Sequence, residues 1–103
     1  MSALHFDEPR FEEIVINKKG RVLIDFWAPW CTPCRMVAPI IDQLSEDLKD
    51  SLIVGKIDID QHPALAARYN VMTIPTLILF QDGVEIKRTI GVQPREQLLE
   101  FSK

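Results

Sequence analysis

The chain is poor in the residues that mark many functions. Its 103 residues hold two cysteines, two histidines and four glycines. Two cysteines are too few for the disulfide framework of a small secreted scaffold. A composition that is 47% hydrophobic and 26% charged can fill a core without staples or a metal. Twelve basic residues against fifteen acidic ones leave a net charge of -3, so there is no basic footprint for nucleic acid or an anionic membrane surface. No stretch approaches the roughly 18 consecutive apolar residues of a membrane-spanning helix. The opening Met1-Ser2-Ala3-Leu4-His5 lacks the basic-then-apolar pattern of a secretory leader. A cytoplasmic, reducing location is therefore expected. In such a place two cysteines are more often catalytic or metal-binding than structural. The length is that of one domain, 1–103.

Both cysteines fall in one stretch, Trp30-Cys31-Thr32-Pro33-Cys34. It lies where an apolar run, Val22 to Trp27, gives way to a helical pattern ending near Lys49. A strand feeding a helix at a cysteine pair is a setting for thiol–disulfide chemistry.

The remaining chain reads as alternating strands and helices. Leu4 to Phe6 is a short edge strand, and Asp7 caps a helix carrying Phe11, Ile14 and Val15. Gly20 closes that helix. Val22 to Trp27 is apolar on both alternating sets, Asp25 excepted, which marks a central strand covered on both faces. Cys34, Val37, Ile41, Leu44 and Leu48 form the buried stripe of the next helix. Pro33 is tolerated in its first turn, and Pro39 is expected to kink it. Leu52 to Ile59 is a second inner strand with one charge, Lys56. Pro63 opens a short helix through Tyr69, with His62 as a weak cap and Asn70 in the left-handed ending. Leu77 to Phe80 and Val84 to Ile90 pair across a two-residue turn, Asp82-Gly83. Val84, Ile86 and Arg88 are expected on one side of the latter strand, Glu85 and Lys87 on the other. Pro94 starts a short final helix with Leu98, Leu99 and Phe101, expected to fray. The order β-α-β-α-β-α-β-β-α predicts an α/β fold, a mixed five-stranded sheet with helices on both faces.

Cysteines three apart share a helix face, roughly 5–6 Å apart at Cβ, close to what a disulfide needs. Cys31 falls at the helix start, where unpaired N–H groups and the positive end of the dipole favour thiolate. Cys34, one turn in on the buried stripe, stays a thiol longer. Cys31 is thus the attacking sulfur and Cys34 the resolving one. The alternative is half of a zinc site, which needs two further ligands. His5 and His62 are the only histidines and do not form a close pair.

The segment from Val22 to Pro39, with Asp25-Phe26-Trp27-Ala28-Pro29-Trp30-Cys31-Thr32-Pro33-Cys34-Arg35 at its centre, closely resembles the active-site segment of the thioredoxin family. Asp58-Ile59-Asp60, Ile74-Pro75-Thr76-Leu77 and Gly91 fall where that family has its equivalents, so the likeness runs nearly end to end. The cysteine spacing is itself a thioredoxin hallmark and is not independent of the resemblance. The resemblance implies the thioredoxin fold and a dithiol carrier that reduces disulfides in other proteins. It implies electrons from a reductase, commonly NADPH-dependent, with no cofactor bound to the chain; a monomer is expected. It makes Cys31 and Cys34 the redox pair, Asp25 the buried acid beneath them, Lys56 its neighbour and Pro75 a cis-proline facing the cysteines. Burial among apolar neighbours would raise the Asp25 pKa and let it take a proton from Cys34. An ordinarily solvated aspartate, and a Lys56 that reaches solvent, are the alternatives.

Trp30, Pro29, Ile74, Pro75, Gly91 and Val92 are expected to border the cysteines as an apolar platform for a substrate chain. Trp30 as a core residue and Gly91 as a plain strand terminator are the competing readings. Thr32 departs from the commonest family motif, which has glycine there. It stiffens the turn and adds a hydroxyl near Cys31. With Pro33, it lies where the family tunes thiolate stability. An oxidase or isomerase direction, and a binding subunit using the platform alone, remain open at this level.

Overall fold

Hydrophobic periodicity sets the element order in the computed structural model, which describes residues 3–103. Met1 and Ser2, part of the stretch read for a leader, lie outside the described residues. β1 (Leu4–His5) precedes α1 (Glu8–Phe11), which runs straight into a π-helical segment, Glu12–Ile16. β2 (Arg21–Trp27), α2 (Thr32–Asp47), β3 (Ile53–Asp58), α3 (Pro63–Arg68), β4 (Thr76–Gln81), β5 (Val84–Ile90) and α4 (Arg95–Phe101) follow. The order matches the sequence reading, with ends displaced by one or two residues.

Among the described residues the sheet has the strand order β1-β3-β2-β4-β5, so β2 is central. β3 runs parallel to it and β4 antiparallel. The two alternating sets of β2 go to opposite faces. Leu23 packs with Val37, Ile41 and Leu44 of α2 and Leu98 of α4. Val22, Ile24 and Phe26 pack with Phe11, Val15 and Leu65 from the α1 and α3 side. There Phe11, Tyr69 and Phe80 meet at ring-centroid distances of 5.2–5.7 Å, in tilted and edge-on contacts.

The local signals act as their chemistry requires. Asp7 caps α1 by accepting the Arg10 N–H at 2.8 Å. Asn70 takes the left-handed ending, with φ 54°. His62 occupies the cap position of α3 without a side-chain hydrogen bond. α2 continues as one helix through Pro39 rather than dividing there. α4 is tied down, contrary to the expected fraying: Ser102 is buried and its Oγ donates to the Leu98 carbonyl at 2.7 Å. Arg95 also pairs with Asp47 of α2.

The alternation expected in β5 is corrected by a bulge. Phe80 pairs with Glu85 but Leu79 with Lys87, so Ile86 is the extra residue. Past it the sides exchange, and Glu85 and Arg88 come together in an ion pair at 2.6 Å. The β4–β5 turn has positive φ at both Asp82 and Gly83, 53° and 86°, as a two-residue hairpin demands. A Cβ on Gly83 would stand 2.7 Å from the Ile16 carbonyl oxygen. Gly83→Ala is therefore expected to destabilise the fold by roughly 1–3 kcal/mol, read as a lower urea midpoint at unchanged slope.

Candidate functional site

The cysteine pair lies where β2 ends and α2 begins. After Trp27 the chain makes a turn closed by the Cys31 N–H donating to the Ala28 carbonyl at 3.1 Å. Cys31 is the N-cap of α2, in extended conformation with φ -88° and ψ 107°. That conformation turns its sulfur back over the first helical turn. There Sγ accepts the Cys34 N–H at 3.2 Å, taking the capping place an oxygen usually holds. Pro33 stands in the first turn, where its missing N–H leaves nothing unpaired. Cys31 and Cys34 are joined as a disulfide with Cα atoms 5.3 Å apart.

Both sulfur-bearing residues are buried, 4% and 2% exposed, so accessibility does not distinguish them. Their surroundings do. The Cys31 sulfur takes the helix N–H and lies 3.8 Å from the Ile74 carbonyl oxygen, an acceptor for a thiol proton. Both cysteines share one cluster with Ala28, packed against Trp27, Ile59 and Ile74, so the hydrogen bonding of Cys31 is what sets the two apart. Among the described residues no group of three His, Cys, Asp or Glu side chains is placed to hold a metal ion. The zinc alternative thus finds no further ligands there.

Asp25 is 1% exposed on β2. It alternates with Leu23 and pairs across strands with Leu77, both in the α2-side core, so its carboxyl faces that side. Neither carboxyl oxygen has a hydrogen-bond partner among the described residues. Burial pushes its pKa up from 3.8 to about 7, against a smaller downward pull from Lys56 and with a further upward push from Asp42. Lys56 is its direct partner in the parallel β2–β3 register, so the two strands are adjacent. The ammonium lies 4.7 Å from the centre of the Trp27 ring.

The rim is apolar and open. Trp30 is 64% exposed, which removes the core-tryptophan reading, and Val92 is 41% exposed. The Ile74–Pro75 peptide bond is cis. The Pro75 carbonyl accepts the Gly91 N–H at 2.8 Å, bringing the β4 and β5 ends of the rim together. Gly91 has φ 90°, and a Cβ there would meet nothing within 4 Å, so its backbone rather than crowding accounts for the glycine. One residue of the rim escaped the sequence reading. Asp60 accepts the Trp30 indole N–H at 2.8 Å and is itself set by its N–H donating to Asp58 at 2.9 Å. The sequence marked Asp58-Ile59-Asp60 as a family-like segment at a strand end, but nothing in it pointed to the contact with Trp30.

The comparisons with known proteins converge on one family. The family model described as Thioredoxin matches residues 2–103. The chain belongs to the thioredoxin family. It is 43% identical over 98 residues to the thioredoxin of Pyropia yezoensis, covering 95% of this chain and 92% of that one. It is 46% identical over 83 residues to a Staphylococcus aureus thioredoxin, covering 81% and 80%. Among solved structures, a mutant thioredoxin from Halobacterium salinarum NRC-1 superposes with a TM-score of 0.89 at 33% identity, covering 98% of this chain and 88% of that one. The thioredoxin fold is thereby established, and with it the activity of the family, thiol–disulfide exchange by a protein-disulfide reductase.

In this thioredoxin-family chain the buried acid sets a pH dependence of stability. Between about pH 4 and pH 7 the unfolded Asp25 ionises while the folded one keeps its proton, so stability falls as pH rises through that window and levels off above it. Asp25→Asn is expected to remove this decline. At pH 8 the oxidised variant should exceed the parent by roughly 2–4 kcal/mol in urea unfolding, with little difference below pH 4.

Proposed function

We propose that the chain is a dithiol carrier that reduces disulfides in target proteins through Cys31, with Cys34 resolving. The Cys31 thiolate attacks one sulfur of a target disulfide. A mixed disulfide forms and the other target sulfur leaves as a thiolate. Cys34 gives its proton to the Asp25 carboxylate and attacks the Cys31 sulfur. The target leaves with its second sulfur reduced, and the chain keeps the Cys31–Cys34 bond. Two electrons have passed to the target, and a reductase, NADPH-dependent in this reading, returns them.

The observation that carries the assignment is the Cys34 N–H aimed at the Cys31 sulfur at the start of a long helix. A negative Cys31 sulfur is met by an N–H and by the positive end of the dipole, and among the described residues no N–H donates to the Cys34 sulfur. A buried carboxyl with pKa about 7 is poised to exchange a proton near neutrality. Lys56, its register partner, moderates that pKa. Thr32 and Pro33 shape the turn that bears the attacking sulfur. Trp30, Ile74, Pro75, Gly91 and Val92 form the platform on which an extended stretch of the target lies. The partners are then a thioredoxin reductase and disulfide-bearing proteins, without nucleic acid or membrane. The chain works as one domain, 1–103, monomeric and cytoplasmic. No helix among the described residues is long and apolar enough to cross a membrane.

Insulin reduction with dithiothreitol as donor tests this reading. Cys31→Ser is expected to abolish it, and Cys34→Ser to accumulate a mixed disulfide with the target; turnover by Cys31→Ser would refute the assignment. Asp25→Asn is expected to slow the resolving step by tenfold or more near pH 7 while the first attack stays within about twofold. Stopped-flow measurement of the two phases separates them, and equal slowing of both would remove the proton-accepting role.

A further inference from the structure

We propose that Arg35 is a positioning residue for the Cys31 sulfur, a forked clamp between Pro29 and the Thr32 hydroxyl. The proposal rests on Cys31 being the attacking sulfur. Arg35 Nη1 donates to the Pro29 carbonyl at 3.2 Å, and Nη2 donates to Thr32 Oγ1 at 3.5 Å. The Arg35 backbone N–H donates to the Cys31 carbonyl at 3.2 Å. One residue thus binds the chain before the sulfur, at it and after it. Pro29, Thr32 and Arg35 are all exposed, so the clamp lies on the outer side of the turn, away from Asp25.

The clamp matters most when the disulfide is open. In the oxidised chain the covalent bond holds the Cys31 sulfur over the helix start. In the reduced chain the extended Cys31 backbone keeps it there, within reach of the Cys34 N–H. That backbone lies between Pro29 and Thr32, the two points Arg35 joins. The clamp uses neither sulfur, so opening the disulfide removes none of its bonds. A guanidinium suits the task because its donors diverge in a fixed plane, whereas an ammonium is a single point on a flexible stem. Thr32 thereby gains a purpose. Glycine at that position would leave Nη2 without its acceptor.

A double-mutant cycle on the reduced full-length chain tests this. The readout is the iodoacetamide alkylation rate of Cys31 across a pH profile, with the labelled cysteine identified by peptide mass. Thr32→Val is expected to lower the rate near pH 6 by about threefold, the size one exposed hydrogen bond warrants, by raising the Cys31 pKa. Thr32→Ser, which keeps the hydroxyl, is expected to restore the rate. In an Arg35→Lys background, with the charge kept and the fork lost, Thr32→Val is expected to change nothing further. An equal effect of Thr32→Val in both backgrounds, or none in either, would overturn the clamp. Label found first on Cys34 would instead overturn the assignment of Cys31 as the attacking sulfur, on which the clamp depends.

Discussion

Everything in the site follows from holding β2 between two apolar layers. A strand buried on both faces has no freedom to slide, because a one-residue slip would turn each of its side chains to the opposite face. Its last residue, Trp27, therefore delivers the following turn to a defined place above the sheet. The turn is closed by the Cys31 N–H on the Ala28 carbonyl, and Cys31 becomes the cap of the following helix. Without the rigid strand the Cys34 N–H would have no fixed sulfur to meet. The packing of Val37, Ile41 and Leu44 against Leu23, Leu77 and Leu79 holds the helix from the other side.

The same burial that makes β2 rigid is what makes Asp25 costly. A carboxyl without a hydrogen-bond partner inside an apolar layer disfavours its own charge, and Lys56 offsets that only in part. A packing optimum would put an aliphatic residue there. The retained acid gives the interior a group that can change protonation near neutrality, directly on the α2 side of the sheet. Stability and a charged Asp25 are thus opposed at one residue, whose pKa burial pushes up to about 7.

The rim is built differently. It is assembled from segments far apart in the chain by single hydrogen bonds: Trp30 to Asp60, Gly91 to Pro75, and the approach of the Ile74 carbonyl to the Cys31 sulfur. These contacts are individually weak. They leave Trp30 and Val92 exposed. The layered core supplies the rigidity, and the rim supplies the shape.

Periodicity, cap residues and turn residues determined the element order, the central place of β2, the helix start at the cysteines and the Asp82-Gly83 hairpin, because each is a local preference summed over a few neighbours. The spacing of the cysteines and the apolar flanks of Asp25 likewise carried their own chemistry. Tertiary structure alone decided the rest. The bulge at Ile86 placed Arg88 beside Glu85, a swap of faces that alternation along one strand does not encode. Asp60 met Trp30 thirty residues away, and the Ile74 carbonyl met Cys31 across forty-three. Arg35 reached back over the cysteine turn only once that turn had formed. Such pairings have no period to read, since which exposed polar groups come within hydrogen-bond reach of one another is set by how rigid elements pack and not by the residues on either side.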